Sequence, residues 1–510
     1  MPVSHNLFEL FANRFADTYY EPFLTIPFGP SMSYADVDRR SAAIAAVLVE
    51  GGAVAGDRVV AQVEKSTDAV ALYWACLRTG LVYVPLNTAY TAEEVGYFLG
   101  DAEPAAFVFT PERTESLVAV GDIVGVPSMY TLGVYGEGSL AELADETAGL
   151  KMVVPRQADD LACILYTSGT TGRSKGAMLT HANLASNGIA LHRIWRFSEG
   201  DVLLHCLPIF HVHGLFVALH CAILNGSEVR FLPRFDAKTV IDELPGSTVM
   251  MGVPTQYGRL LAEPGFTSEV TAGVRLFTCG SAPLTQPMFQ DFERRTGHTI
   301  CERYGMTECG IITSNALEGP RSAGTVGYPL PKVEVRIVDD TGTPVDDGEV
   351  GVLETRGPNV FAGYWRSPAK TEEVMTPDGY FHTGDIATMG ADGRVTLIGR
   401  VSDMVITGGL NVYPKEVEVL IDDVDGVAEC AVVGLPHPDL GEGVTAFVVV
   451  DPDSGVDEEF VREAIRTDIA NFKQPKLYFF VDELPRNAMG KVQKSVLRNE
   501  HSGAFELHDL

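Results

Sequence analysis

A chain of 510 residues exceeds what a single core usually supports, and its 46% hydrophobic content is ordinary for a globular protein. The formal charge of −30 opposes non-specific attraction to nucleic acid or to an anionic membrane. Anionic substrates would therefore need cations of their own at the site.

Eight scattered cysteines with no C-x-x-C pair suit buried thiols in a reducing cytosol better than disulfides or zinc. The start Met1-Pro-Val-Ser-His shows no basic stretch followed by a long apolar one, so no signal peptide is expected. The apolar runs near Val70 to Val84 and Leu215 to Leu224 are broken by Arg78 and His220 and are too short to span a bilayer. The expected setting is cytoplasmic, with no nucleic-acid partner and no membrane insertion.

From Asn6 to about Leu150 helical and strand-like segments alternate. Tyr34 to Glu50 has helical apolar spacing, Arg58 to Val63 reads as a strand, and Ser66 to Leu77 as a helix. The alternation implies an α/β layer. A buried strand at Leu161 to Leu165 then leads into Tyr166-Thr167-Ser168-Gly169-Thr170-Thr171-Gly172-Arg173-Ser174-Lys175-Gly176. Glycines that let backbone N–H groups approach an anion, hydroxyl donors and a lysine suggest a phosphate cradle. It differs from the P-loop, in which lysine directly follows the second glycine. The alternative is a surface turn of small polar residues.

After a helix beginning at Thr180 comes a segment carrying His211 and His213. No further ligand cluster with suitable spacing lies near them, which disfavours a metal. His211 is expected to line a pocket, and His213 is left open. Strand-like runs follow at Glu228 to Leu232, Thr248 to Val253 and Val274 to Cys279, the last ending in Gly280-Ser281-Ala282. Arg275, inside that last run, lies at an exposed edge or has a specific partner. The run Glu302-Arg303-Tyr304-Gly305-Met306-Thr307-Glu308 could stack a base, touch a phosphate and hold Mg²⁺, or start a helix with solvated charges.

From Gly327 the chain turns β-rich, with a hairpin around Asp339 to Gly348 and a turn at Thr383-Gly384-Asp385. Beyond Arg400 the last hundred residues carry their own pattern. Helices are expected at Pro414 to Ile421 and Asp457 to Ile469, and strands at Ala428 to Val433, Val444 to Val450 and Leu477 to Val481. A loop near the end presents Lys491, which by itself reads as solvated surface.

Taken together, YTSGTTGRSKG, GSAPL, ERYGMTE, HTGD, GRVSDMVITGGLNVYPKEVE and LPRNAMGKV resemble, in order and over nearly the whole chain, the adenylate-forming superfamily of acyl-CoA synthetases, adenylation domains and luciferases. VPLNTAYTAEEV, LPIFHVHGLF, MGVPTQYGRLL and RGPNVFAGYW look most like the malonyl-CoA synthetases within it. The fold class implied is α/β. A large N-terminal domain (1–400) of α/β layers with a β-rich subdomain would precede a small mobile α+β domain (401–510).

By this resemblance Thr167, Ser168, Gly169, Thr170, Thr171, Gly172 and Lys175 hold the ATP phosphates. Gly280, Ser281 and Ala282 with Glu302, Arg303 and Tyr304 surround adenine. Thr307 touches the α-phosphate, Glu308 holds Mg²⁺, Asp385 binds the ribose, Arg400 lies near ribose and phosphates, and Lys491 bridges the acid and the α-phosphate. Arg275 is the expected cation for the distal carboxylate of malonate, with His211 and Met306 lining the acid site; an internal ion pair is the alternative for Arg275, and Arg234 a weaker candidate.

The implied cofactors and substrates are ATP, Mg²⁺, CoA and a small-molecule acid: malonate, with methylmalonate beside it. Another short or medium-chain acid, a carrier-charging adenylation enzyme and a non-catalytic relative are the alternatives. A homo-oligomer is compatible with the sequence and not required by it. The pivot between domains falls at Ser402, where relatives usually carry Asp or Lys.

Overall fold

The computed structural model describes residues 4–27, 29–167, 174–452, 454–487 and 490–505. Two large sheets share one core. The six-stranded sheet is built on the parallel strands Arg58–Gln62, Val82–Pro85, Ala106–Phe109 and Leu161–Thr167, and the nine-stranded sheet on Val202–His205, Glu228–Phe231, Val249–Gly252 and Leu276–Cys279. Side chains alternate along each strand. Val59, Ala61 and Tyr83 of one sheet and Leu203, Val249, Met251 and Leu276 of the other enter the common core. Leu204, Met250 and Phe277 enter a separate outer core, and Val60, Val82 and Phe107 a second one.

Helices between the sheets fill the common core. Thr67–Thr79 is buried on every face, capped by Ser66 at its start and closed by Gly80 at φ 71°. Tyr34–Glu50 matches its expected span and starts in a capping box of Ser33 and Asp36. Parallel strands linked through such helices follow from the alternating pattern, since βα crossovers return each strand in the same direction.

A four-stranded antiparallel sheet, Glu334–Val338 to Val395–Arg400, carries the expected hairpin and packs Ile337, Leu353 and Ala387 into the common core. The last sheet, centred on Val427–His437 and Gly441–Val450, has cores on both faces. The expected helix Asp457 to Ile469 is shorter, Glu458–Ile465. ERYGMTE does not start a helix: Cys301–Met306 is a strand, and Thr307 and Glu308 lie in the turn that leads to the antiparallel strand Gly310–Ser314. Seven cysteines are buried, Cys430 is half-buried, and all eight are free thiols. Among the described residues no helix is long and apolar enough to cross a membrane.

Candidate active site

Parallel strands gather their exits on one edge, and in open α/β sheets ligands bind outside the carboxyl ends of the strands. Here Val202–His205 exits toward His211 and His213, Val249–Gly252 toward Thr255, and Leu276–Cys279 into Gly280-Ser281-Ala282. Ser281 holds φ 71°, a left-handed conformation uncommon for a residue with a β-carbon and typical of functional turns.

Strand alternation divides the next strand between two jobs. Tyr304 donates its hydroxyl to Asp385 at 2.5 Å, and Asp385 pairs with Arg400 Nε at 2.9 Å. Burial and then the Asp385 carboxylate push the Tyr304 phenol well above its ordinary range. Burial opposes the charge of Arg400, yet the carboxylates around it, Asp385 foremost, hold its pKa above the usual value. Glu302 accepts from Gly324 N–H at 3.2 Å, and burial lifts its carboxyl to about 8 against the pull of that bond and of Lys415.

Arg303 points to the other face, among Cys279, Cys301 and Tyr257. Its guanidinium lies against Gly280, where a β-carbon would fall 2.5 Å from Nη1, so a side chain there would displace it. Arg303, expected around adenine with Glu302 and Tyr304, thus projects from the opposite face of the strand to those two. Arg303 is 5% exposed, and its Nε and Nη2 meet no hydrogen-bond partner among the described residues. Burial lowers its pKa only to about 10, so it stays charged at neutral pH.

His211 and His213 share this surrounding. Burial, then the positive charge of Arg303, pushes His211 down to about 4 and His213 well below its ordinary value. His213 N–H donates to His211 Nδ1 at 3.2 Å, and His213 Nδ1 lies 3.3 Å from Ser281 Oγ. Two neutral histidines, a serine and an unpaired arginine therefore converge.

Arg275 stands elsewhere. It precedes the strand Leu276–Cys279, and its Nε and Nη2 clasp Asp201 at 2.7 and 2.5 Å while Nη1 donates to Trp195 O at 3.0 Å. Asp201 and Thr248, which donates to it at 2.8 Å, likewise precede their strands. All three sit at the amino edge, and Arg275 is about 17 Å of extended chain from Gly280 at roughly 3.3 Å per residue. Arg275, expected to face the distal carboxylate of malonate, stands here in an internal ion pair with Asp201.

Thr167 and Lys175 face each other across an antiparallel pair. Ser168, Gly169, Thr170, Thr171 and Gly172, between them, lie outside the described residues. Lys175 Nζ stands 5.3 Å from the centre of the Tyr364 ring, and the Tyr364 hydroxyl donates to Glu308 Oε1 at 2.9 Å. Tyr364 thus joins the phosphate-loop lysine to the expected metal carboxylate, a link that distance along the chain concealed. Burial raises the Glu308 pKa against the Tyr364 bond and Arg400. Among the described residues no three acidic, histidine or cysteine side chains cluster as a metal cage. One buried carboxylate fits Mg²⁺, which completes its shell with phosphate oxygens and water. Met306 ends its strand half-buried against the common core.

Lys491 is brought in from the last sheet. Gly490, at φ 72°, lies against Thr255, where a β-carbon would fall 2.6 Å from Thr255 Oγ1. Burial and the nearby Arg400 lower the Lys491 pKa, while Asp385 and Asp403 oppose the shift. Lys491 therefore shares the electrostatic surroundings of Arg400 and Asp385.

The model of AMP-binding enzymes matches residues 13–365, and that of their C-terminal domain residues 416–491. The ATP-bound MatB of Rhodopseudomonas palustris is 47% identical over 99% of this chain and 100% of its own, with a TM-score of 0.96; the apo form of that protein scores 0.84. Malonate–CoA ligase ACSF3, mitochondrial, of Mus musculus is 36% identical over 84% of this chain and 79% of its own length. Feruloyl-CoA synthase of an Amycolatopsis species is 34% identical over 92% and 94%. The chain belongs to the AMP-binding enzymes, the adenylate-forming superfamily that includes the acyl-CoA synthetases.

Proposed function

We propose that this protein joins malonate to CoA at the expense of ATP, with methylmalonate as a second acid. The observation that carries the reading is Arg303, a buried guanidinium without a partner for two of its nitrogens. An unpaired buried charge is costly, and a carboxylate that grips it bidentately relieves that cost. A monocarboxylate spends its only carboxylate on the reaction; malonate has a second to spare. The similarity to malonate–CoA ligases supports the same acid.

The proposed chemistry runs in two steps. One malonate carboxylate oxygen attacks the α-phosphorus of ATP, forming the acyl-adenylate and releasing pyrophosphate. Lys491 offsets the charge gathering between the two anions, and Arg400 and Asp385 hold the ribose end. The CoA thiol then loses its proton and attacks the acyl carbon, and AMP leaves with the bonding electrons of the acyl–oxygen bond. Magnesium held by Glu308 supplies, when bound, positive charge at the phosphates. His211 and His213, kept neutral beside Arg303, add polar lining without a competing charge. The last sheet pivots near Ser402 between the two steps, withdrawing Lys491.

A second reading has its own support in the similarity to feruloyl-CoA synthase: an aromatic acid, with Arg303 left unpaired. The test is CoA- and ATP-dependent AMP release over acetate, propionate, butyrate, octanoate, malonate, methylmalonate, succinate and ferulate, for the parent, Arg303→Met and Arg275→Met. Malonate should lead in the parent, collapse in Arg303→Met and survive in Arg275→Met. A parent that prefers ferulate or a fatty acid would end the malonate reading.

A further inference from the structure

Lys65 is a buried ammonium with no acidic partner among the described residues. It follows the strand Arg58–Gln62, is 7% exposed, and lies 4.3 Å from the centre of the Phe231 ring. Its two recorded hydrogen bonds both go to His205: 2.7 Å to Nδ1 and 2.9 Å to the carbonyl oxygen. An apolar side chain would fill the place at less cost in desolvation. What lysine adds is donors.

Those donors fix the chemistry of His205. The Gly214 carbonyl beside Nε2 can only accept, so the proton of the neutral ring sits on Nε2 and Nδ1 accepts from Lys65. Nε2 in turn lies 3.0 Å from the Gly214 carbonyl and donates to it. The same carbonyl takes the N–H of Leu219, closing the wide π-helical turn His213–Ala218 that opens the following helix. Such turns concentrate at functional sites. Gly214 cannot shift freely, since a β-carbon there would fall 2.1 Å from the Pro208 carbonyl. Between His205 and Gly214 the chain carries His211 and His213.

We infer that Lys65 is a positioning residue for the acid pocket: through the imidazole of His205 it fixes the Gly214 carbonyl and so sets the loop that aims His211 and His213 toward Arg303. Burial brings the lysine to about 7, and amine and ammonium alike can donate to Nδ1, so the link holds through its titration. The inference rests on the acid-pocket reading above, because the loop matters to the acid only if the acid lies between Arg303 and the histidines.

The experiment pairs kinetics with a spectroscopic signature. In Lys65→Met the KM for whichever acid the parent uses best should rise about tenfold, as for one lost buried hydrogen bond, while the KM values for ATP and CoA move less than about twofold. Long-range ¹H–¹⁵N spectra of the histidine-labelled parent should give His205, assigned through the loss of its signal in His205→Gln, protonated at Nε2 alone. Equal KM values in parent and variant, or a common loss toward all three substrates, would overturn the inference. So would an Nδ1-protonated His205 in the parent, a readout that stands even if Lys65→Met fails to fold. Failure of the malonate reading shows separately, in which acid the parent prefers.

Discussion

The nine-stranded sheet carries an arginine at each end of its central strands, and the two live by opposite rules. At the amino edge Arg275 and Asp201 satisfy each other with two hydrogen bonds, and Thr248 and Trp195 complete the set. At the carboxyl edge Arg303 is more deeply buried and has two nitrogens with no partner. Folding satisfies the one edge, whereas at the other it leaves two guanidinium nitrogens unsatisfied. Perturbed or unpaired charges gather at functional sites for this reason.

Breaking the contrast starts with the group delivered to the carboxyl edge from outside the sheet. Lys491→Ala should lower adenylate formation by roughly a thousand-fold, the upper range for one preorganised charge donor, while CoA attack on supplied acyl-adenylate persists. Separate assays of the two half-reactions check this, and equal loss in both would overturn the division of labour. Arg303→Met should then lower kcat/KM for malonate by about a hundred-fold, the scale for truncating one partner of a buried charge pair. Its urea midpoint should match or exceed the parent's, because an unpaired cation has been replaced by an apolar chain.

Arg275→Met should do the reverse, sparing the acid preference and costing about 2–3 kcal/mol of stability by stranding the buried Asp201. Urea unfolding of the two variants side by side measures the contrast directly. Tyr364→Phe removes one donor to Glu308 and should raise the Mg²⁺ concentration for half-maximal activity about tenfold; direct Mn²⁺ binding in the presence of ATP provides the second readout.

The remaining contrast is in pH. The folded carboxyl of Glu302 stands at about 8 against an ordinary 4.5. The folded state then holds a proton that the unfolded state has lost, so this contribution is whole below 4.5, declines as pH rises and is gone above 8. Its slope is at most about 1.4 kcal/mol per pH unit, and Glu302→Gln should flatten it. Asp201 works with opposite sign. Burial opposes its charge, but Arg275 and the Ser198 and Thr248 bonds hold its pKa below 3.8, so its contribution is present above 3.8 and fades as acid protonates it.

The sequence carried local information well and pairing poorly. Ser33, Asp36 and the apolar spacing through Glu50 lie within one helix, so that element could be read from neighbours alone. Cys301–Met306 is short, and its strand character comes from pairing with Thr278, Cys279 and Gly310–Ser314. Arg275 sits between Val274 and Leu276, and Arg303 between Glu302 and Tyr304. Which of them is paired and which is not depends on strand direction and on Asp201, 74 residues away in the chain, and no local pattern encodes that. The same applies to Lys65 and His205, 140 residues apart.

The seat of Gly490 on Thr255 has a consequence for turnover. A contact made by a missing methyl group has no side chain to interlock, so close approach is gained with little to unfasten on departure. The arrival and withdrawal proposed for Lys491 would be best served by a fit that is tight in shape and weak in adhesion. Gly490→Ala would place a carbon 2.6 Å from Thr255 Oγ1 and force the two segments apart.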